Sequence, residues 1–233
     1  DASSISPVQR SSAEPDWFRA VRESVCIRFI ETKRLLKFSF SRKQKLYYEG
    51  AAVEPAVNLY SHEIARMVRE KLAEYATLAQ SLDRSFPHRL LAAGTKVTVL
   101  DRKRLAERFR KLEDKLTRLV DAGLLDKGQA LDLGVLENMT DNSRRVLSVY
   151  VEDIERKLAV FDSLAERIYL LLELANDKFL YKKMTLSHKD GFLFTSPEGR
   201  NIPLSCLSSG EQHELVLLYE LLFKIAPDSL ILI

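Results

Sequence analysis

Three stretches of this chain carry apolar residues that step alternately by four and three positions, and that spacing restricts its folds more than any other feature. In 61–83 the series is Ile64, Val68, Leu72, Tyr75, Ala79 and Leu82; in 101–121 it is Leu105, Phe109, Leu112, Leu116 and Leu119. From 143 to 176 it runs Leu147, Val151, Ile154, Leu158, Phe161, Ala165, Ile168, Leu172 and Ala175. A period of about 3.5 residues gathers the apolar side chains of a helix onto one seam, which stays dry only against another helix. The spacing therefore predicts long helices packed along one another in a helical insertion covering 61–176. Between the second and third, Gly123, Gly128, Gly134, Asn138 and Asn142 are turn formers that can reverse the chain. They predict an antiparallel helical hairpin, its helices about 30 and about 50 Å long at 1.5 Å per residue. The same seam serves an arm that projects and a bundle folded into a lobe.

On either side the period changes. Val25–Ile30 is short and rich in β-formers, which predicts a strand. After Asn176 come short alternating pieces, Met184–Ser187, Phe192–Thr195 and Asn201–Ser205, separated by the turns His188-Lys189-Asp190-Gly191 and Ser196-Pro197-Glu198-Gly199. They predict an antiparallel β-meander. Residues 1–16 are rich in Ser and Pro with no apolar period, and read as a disordered lead-in. The expected organisation is α/β: a first head segment at 17–60, the helical insertion at 61–176, and a second head segment at 177–233.

With 46% hydrophobic residues the chain can bury a sizeable core, and its 30% charged residues suit long exposed helices. Cys26 and Cys206 are too few for a disulfide framework and are read as small buried hydrophobes. No apolar run approaches the ~20 residues that span a bilayer, so no membrane partner is expected and the cytoplasm is the default location. His62, His88, His188 and His213 lack metal-ligand spacing, and no nucleophile–base arrangement can be read. Net charge is only +3, yet Arg28, Lys33, Arg34, Lys37, Arg42, Lys43 and Lys45 face only Glu31 in their stretch. That excess makes Arg42, Lys43 and Lys45 candidate contacts to nucleic-acid phosphates. Arg102, Lys103, Arg104, Arg108, Arg110 and Lys111 are diluted by Asp101, Glu107, Glu113 and Asp114, and read as a solvated helix face.

The segment Leu207-Ser208-Ser209-Gly210-Glu211-Gln212 precedes an apolar helix expected over Glu211–Ile225, a Pro227-Asp228 break, and the aliphatic run Leu230-Ile231-Leu232-Ile233. Ser208-x-x-Glu211 satisfies the capping-box pattern that begins many helices. It is also a place for an anion: two hydroxyls, a glycine that admits close approach, and the unpaired N–H groups of a helix start.

Taken in that order, these pieces resemble the signature motif of ABC-type ATPases, commonly written LSGGQ, with the helix and strand that lead to the Walker B carboxylates. Ser209 stands where glycine is commoner, and Glu211 precedes Gln212. In both respects the segment is similar to the soluble, DNA-associated branch with SMC-, RecF- and OLD-like proteins. The stretches Phe29–Leu35, Ser85–Leu90 and Leu207–Leu218 look most like ATPases of bacterial retron and Septu-type phage defence. The resemblance implies ATP with Mg, a homodimer that sandwiches nucleotide between two heads, and Ser208, Ser209, Gly210, Glu211 and Gln212 as the nucleotide-contacting residues. No G-x-x-x-x-G-K-[ST] occurs in the chain and the Walker B acids are absent. The expectation is thus an internal fragment, inactive alone, with Walker A upstream and the carboxylates and Mg ligands beyond Ile233. Hydrolysis serving phage defence or DNA transactions is implied for the whole protein. The alternatives are a non-hydrolysing scaffold whose helical arm recruits a nuclease or toxin, and a RecF- or SMC-type repair ATPase.

Overall fold

The structure is a computed structural model that describes residues 15–19, 27–30, 36–39, 52–96, 100–128, 140–226 and 229–232. The lead-in up to residue 14, Cys26, Gly134, Asn138 and the Pro227-Asp228 break lie outside them. Strands β1 (Ile27–Phe29), β2 (Leu36–Ser39) and β3 (Ala52–Pro55) precede helices α1 (Ala56–Lys96), α2 (Arg102–Asp121), α3 (Asp141–Ala159) and α4 (Asp162–Lys178). Then follow β4 (Lys183–Ser187), β5 (Gly191–Thr195), β6 (Asn201–Ile202), α5 (Ser209–Tyr219) and β7 (Leu230–Leu232). Among the described residues helix dominates, with three small sheets beside it, a mixed α and β composition.

β1 pairs in parallel with β7, Ile27 opposite Leu230 and Phe29 opposite Leu232, and the Ile30 N–H continues the ladder to the Leu232 carbonyl at 2.9 Å. The strand after α5 thus returns to the strand that precedes the helices. β2 and β3 form an antiparallel pair that leads directly into α1.

α1 is longer than the 61–83 expected from its seam. It starts at Ala56 and runs through Pro87 to Lys96, about 60 Å. Proline cannot donate to the carbonyl four residues back, that of Asp83, and the turn before it is braced by side chains. The Leu82 carbonyl accepts from the Ser85 hydroxyl at 3.1 Å and from Arg89 at 2.8 Å. Arg89 then reaches the buried Asp153 of α3 with both terminal nitrogens, so the turn around the proline is tied to the neighbouring helix.

The expected antiparallel hairpin does not form: α2 and α3 lie side by side in parallel. The Leu100 N–H, just before α2, bonds the Ser148 hydroxyl at 3.2 Å, Arg108 grips Glu155, and Lys115 pairs with Asp162. Both members of the pairs climb together, as they do only when two helices share a direction. Against α1 the order reverses, with Arg89 on Asp153, Asp83 on Lys157 and Tyr75 against Phe161. α1 therefore runs antiparallel to α3. The link 122–140 has ample reach to recross α2, at about 3.3 Å per extended residue. Of the two packings the seam allows, the structure has the bundle, with α3 held against both α1 and α2.

The single helix expected over 143–176 is two. The chain bends at Val160–Phe161, where Phe161 is fully buried against Tyr75, ring centroids 5.5 Å apart. The Phe161 carbonyl then accepts from the Leu164 and Ala165 N–H groups and starts α4, with Asp162 in its first turn favouring the new positive end.

The meander forms as expected, β4–β5–β6 antiparallel, except that β6 stops at Ile202. Pro203 has no N–H to extend the ladder, and a tight turn over Leu204–Cys206 begins instead. That turn leaves Cys206 exposed, against the expectation of a buried thiol. Gly123 (φ 72) ends α2 against the meander, since a side chain there would overlap the Leu186 carbonyl. One apolar core runs through α1, α2, α4, the meander and α5, and includes Ile64, Leu105, Leu119, Ile168, Phe194 and Val216. Among the described residues no helix is long and apolar enough to cross a membrane.

Candidate functional site

The segment that precedes α5 is anchored before it is exposed. Leu207 is buried, and its carbonyl accepts from the Gln212 side chain at 2.9 Å. The next residue, Ser208, leaves in extended backbone as the N-cap of α5. Its hydroxyl accepts the Glu211 N–H at 3.3 Å, and the Glu211 carboxylate accepts the Ser208 N–H at 2.7 Å. Both halves of the capping box are present, a device that typically stabilises a helix by about 1 kcal/mol.

Capping does not consume the start of the helix. Ser208, Ser209 and Gly210 are all exposed, and the Ser209 and Gly210 N–H groups have no partner within the helix by its geometry. A Cβ placed on Gly210 would meet nothing within 4 Å. Neither packing nor a left-handed backbone calls for glycine at this position. What remains is an exposed turn with two hydroxyls and two N–H groups at the positive end of a helix, suited to a phosphate oxygen. Of the five residues expected at the site, three face outward, while Glu211 and Gln212 turn inward and hold the turn.

Lys182, just before β4, is the participant that sequence spacing does not reveal. Its ammonium lies 2.7 and 2.6 Å from the two Glu211 carboxylate oxygens. Burial pushes the Glu211 carboxyl up, but Lys182 and the Ser208 turn together outweigh it and hold Glu211 below the usual carboxylate range. The residue before Lys182, Tyr181, takes a left-handed conformation (φ 60) that L side chains rarely adopt. On the far side, the Asn176 amide brackets Met184, accepting its N–H at 2.6 Å and donating to its carbonyl at 3.1 Å. Lys178, the last residue of α4, also pairs with Glu214 of α5 at 2.5 Å, a second tie to the same helix.

The other end of α5 is fixed to α1. The helix passes into a π-helical turn, Glu220–Lys224, whose buried Glu220 accepts a hydrogen bond from Tyr60. Burial and the Glu220 acceptor push the Tyr60 hydroxyl far above its ordinary range. Tyr60 stacks on Tyr219 at 4.3 Å and Tyr219 on Phe223 at 4.8 Å, while Lys224 pairs with Glu63. His213, in the first turn of α5, contacts the Ser209 carbonyl through Nδ1 at 2.8 Å.

A scan against protein-family models finds no match. No curated protein aligns significantly with the chain. Arg42, Lys43 and Lys45 lie outside the described residues. Among the described residues no group of three or more His, Cys, Asp or Glu side chains is placed to hold a metal ion.

Proposed function

We propose that this chain forms part of an ABC-type ATPase head and contributes the signature side of an ATP site shared between two copies. The observation that carries the reading is the capped, outward-facing turn Ser208–Gly210, where the fold makes no demand for glycine and leaves open space over it. The parallel return of β7 onto β1 supports it, because α5 and the strand after it stand in the order that the resemblance implies. In this reading the Ser208 hydroxyl and the Ser209 and Gly210 N–H groups donate to the γ-phosphate of a nucleotide seated on the other copy. Those residues fit one face of a phosphate. Hydrolysis requires a P-loop, Mg ligands and water-activating acidic residues besides the groups that residues 208–210 supply. The donors stabilise charge on the transferring phosphoryl group in a site closed by the second copy.

The test is Ser208→Arg in the full-length gene product. A bulky cation in place of a hydroxyl at an exposed helix start is expected to abolish ATP hydrolysis and ATP-dependent dimerisation, while circular dichroism stays near wild type and the melting temperature falls only by the few degrees that loss of the cap costs. Undiminished turnover removes Ser208 from the site.

A further inference from the structure

This inference rests on the ATP reading and concerns a residue that acts behind the site. Glu211 is the third residue of α5, so the carboxylate that completes the capping box puts a negative charge within a turn of Ser208–Gly210. That charge favours the helix. It also opposes the approach of a phosphate to the same helix end.

Lys182 answers the conflict. Its ammonium touches both Glu211 oxygens, at 2.7 and 2.6 Å, while one of those oxygens still accepts the Ser208 N–H at 2.7 Å. The two side chains are only 21% and 19% exposed, so solvent screens the attraction between them, and the charge that would remain if Lys182 were lost, less than it does at an open surface. A lysine suits the task because its compact head carries three donors. Asn176 and the left-handed Tyr181 fix the backbone on either side, so the ammonium is delivered by the end of α4 and the first strand of the meander.

We infer that Lys182 is a positioning residue of the phosphate site, which orients the Ser208 turn through Glu211 and cancels the carboxylate charge that would otherwise repel the incoming anion. A staple that only joined α4 to α5 would share the geometry but not the electrostatics, and the two roles separate experimentally. Four variants of the full-length protein decide, Lys182→Met, Lys182→Arg, Glu211→Gln and the double Lys182→Met/Glu211→Gln, each assayed for dimerisation by sedimentation with a non-hydrolysable ATP analogue. Glutamine preserves the capping box, since its amide oxygen accepts the same N–H.

Lys182→Met is expected to weaken dimerisation roughly five- to ten-fold at low salt, the order of one unit charge a few ångströms away at a solvent-like dielectric constant. The loss narrows at about 0.5 M salt, where the Debye length falls to a few ångströms. Lys182→Arg keeps the affinity within about two-fold, and the double variant recovers most of the loss because no carboxylate remains to repel. A double variant as weak as Lys182→Met overturns the inference, as does a Lys182→Met protein that dimerises like wild type. Should Lys182→Met fail to fold, the double variant set against Glu211→Gln decides: with no carboxylate left to cancel, loss of Lys182 is expected to change dimerisation by less than about two-fold, and a clearly weaker double variant overturns the inference. Wild-type protein that does not dimerise with the analogue at any salt overturns the ATP reading and this inference together; wild type that does, beside an indifferent Lys182→Met, overturns this inference alone.

Discussion

Gly210 shows how a single residue separates what the fold needs from what a ligand needs. It sits in helical backbone with nothing within 4 Å of its missing Cβ, so the folded chain gains no packing from glycine and gives up helix propensity. Gly210→Ala is therefore expected to hold or raise stability, by up to about 1 kcal/mol, while the added methyl keeps a phosphate oxygen from the N–H. Thermal melting and sedimentation with an ATP analogue check the two halves, and dimerisation at the wild-type level would remove the glycine from the site. The capping pair was legible from its spacing, Ser208-x-x-Glu211, because a capping box is local. Lys182 was not, since it meets Glu211 only after the meander has folded back, and no spacing rule links residues that the tertiary fold brings together. Cys206 misled for a related reason: the tight turn that Pro203 starts turns a small apolar residue outward.

At the scale of elements, the helices were legible and their directions were not. A 3.5-residue seam marks which face of a helix is buried, but it reads the same from either end, and turn formers in a link do not say how far the link travels. The parallel pairing of α2 and α3 shows in specific partners, above all Arg108 with Glu155, at 2.7 Å from Nε to the carboxylate. The break between α3 and α4 is hidden because Leu158, Phe161 and Ala165 keep the apolar steps through the bend. Charge reversal tests the direction. Arg108→Glu and Glu155→Arg are each expected to destabilise slightly, and the double swap to restore stability with a coupling of about 0.5–1 kcal/mol, modest because both groups are about one-third exposed. Chemical denaturation of the four proteins measures it. Additive effects would place the two residues apart, as an antiparallel hairpin does.

Across the whole molecule, the meander is the plate that joins the helical bundle to the start of α5. On one side Ser61 of α1 accepts the Phe192 N–H at 2.8 Å and donates to the Asp190 carbonyl at 2.9 Å, and on the other Lys182, just before β4, meets Glu211 of α5 and Met184 bonds Asn176 of α4. Gly191 is where the plate touches α1. It has φ 81, and a methyl there would overlap both the carbonyl and the hydroxyl oxygen of Ser61. Gly199 has nearly the same backbone, φ 79, but open space around it, so it carries the strain without the collision. Gly199→Ala is expected to cost about 1 kcal/mol from the left-handed backbone alone. Gly191→Ala adds the displacement of a packed backbone and is expected to cost on the order of 3 kcal/mol. Its amide-exchange protection is expected to fall across β4, β5 and the first turn of α5, because the seat of Lys182 moves with the plate. Melting curves and hydrogen exchange of the two variants decide. Equal losses in both would mean that the contact between Gly191 and Ser61 carries no packing energy, and that the plate is held to α1 by its side chains alone.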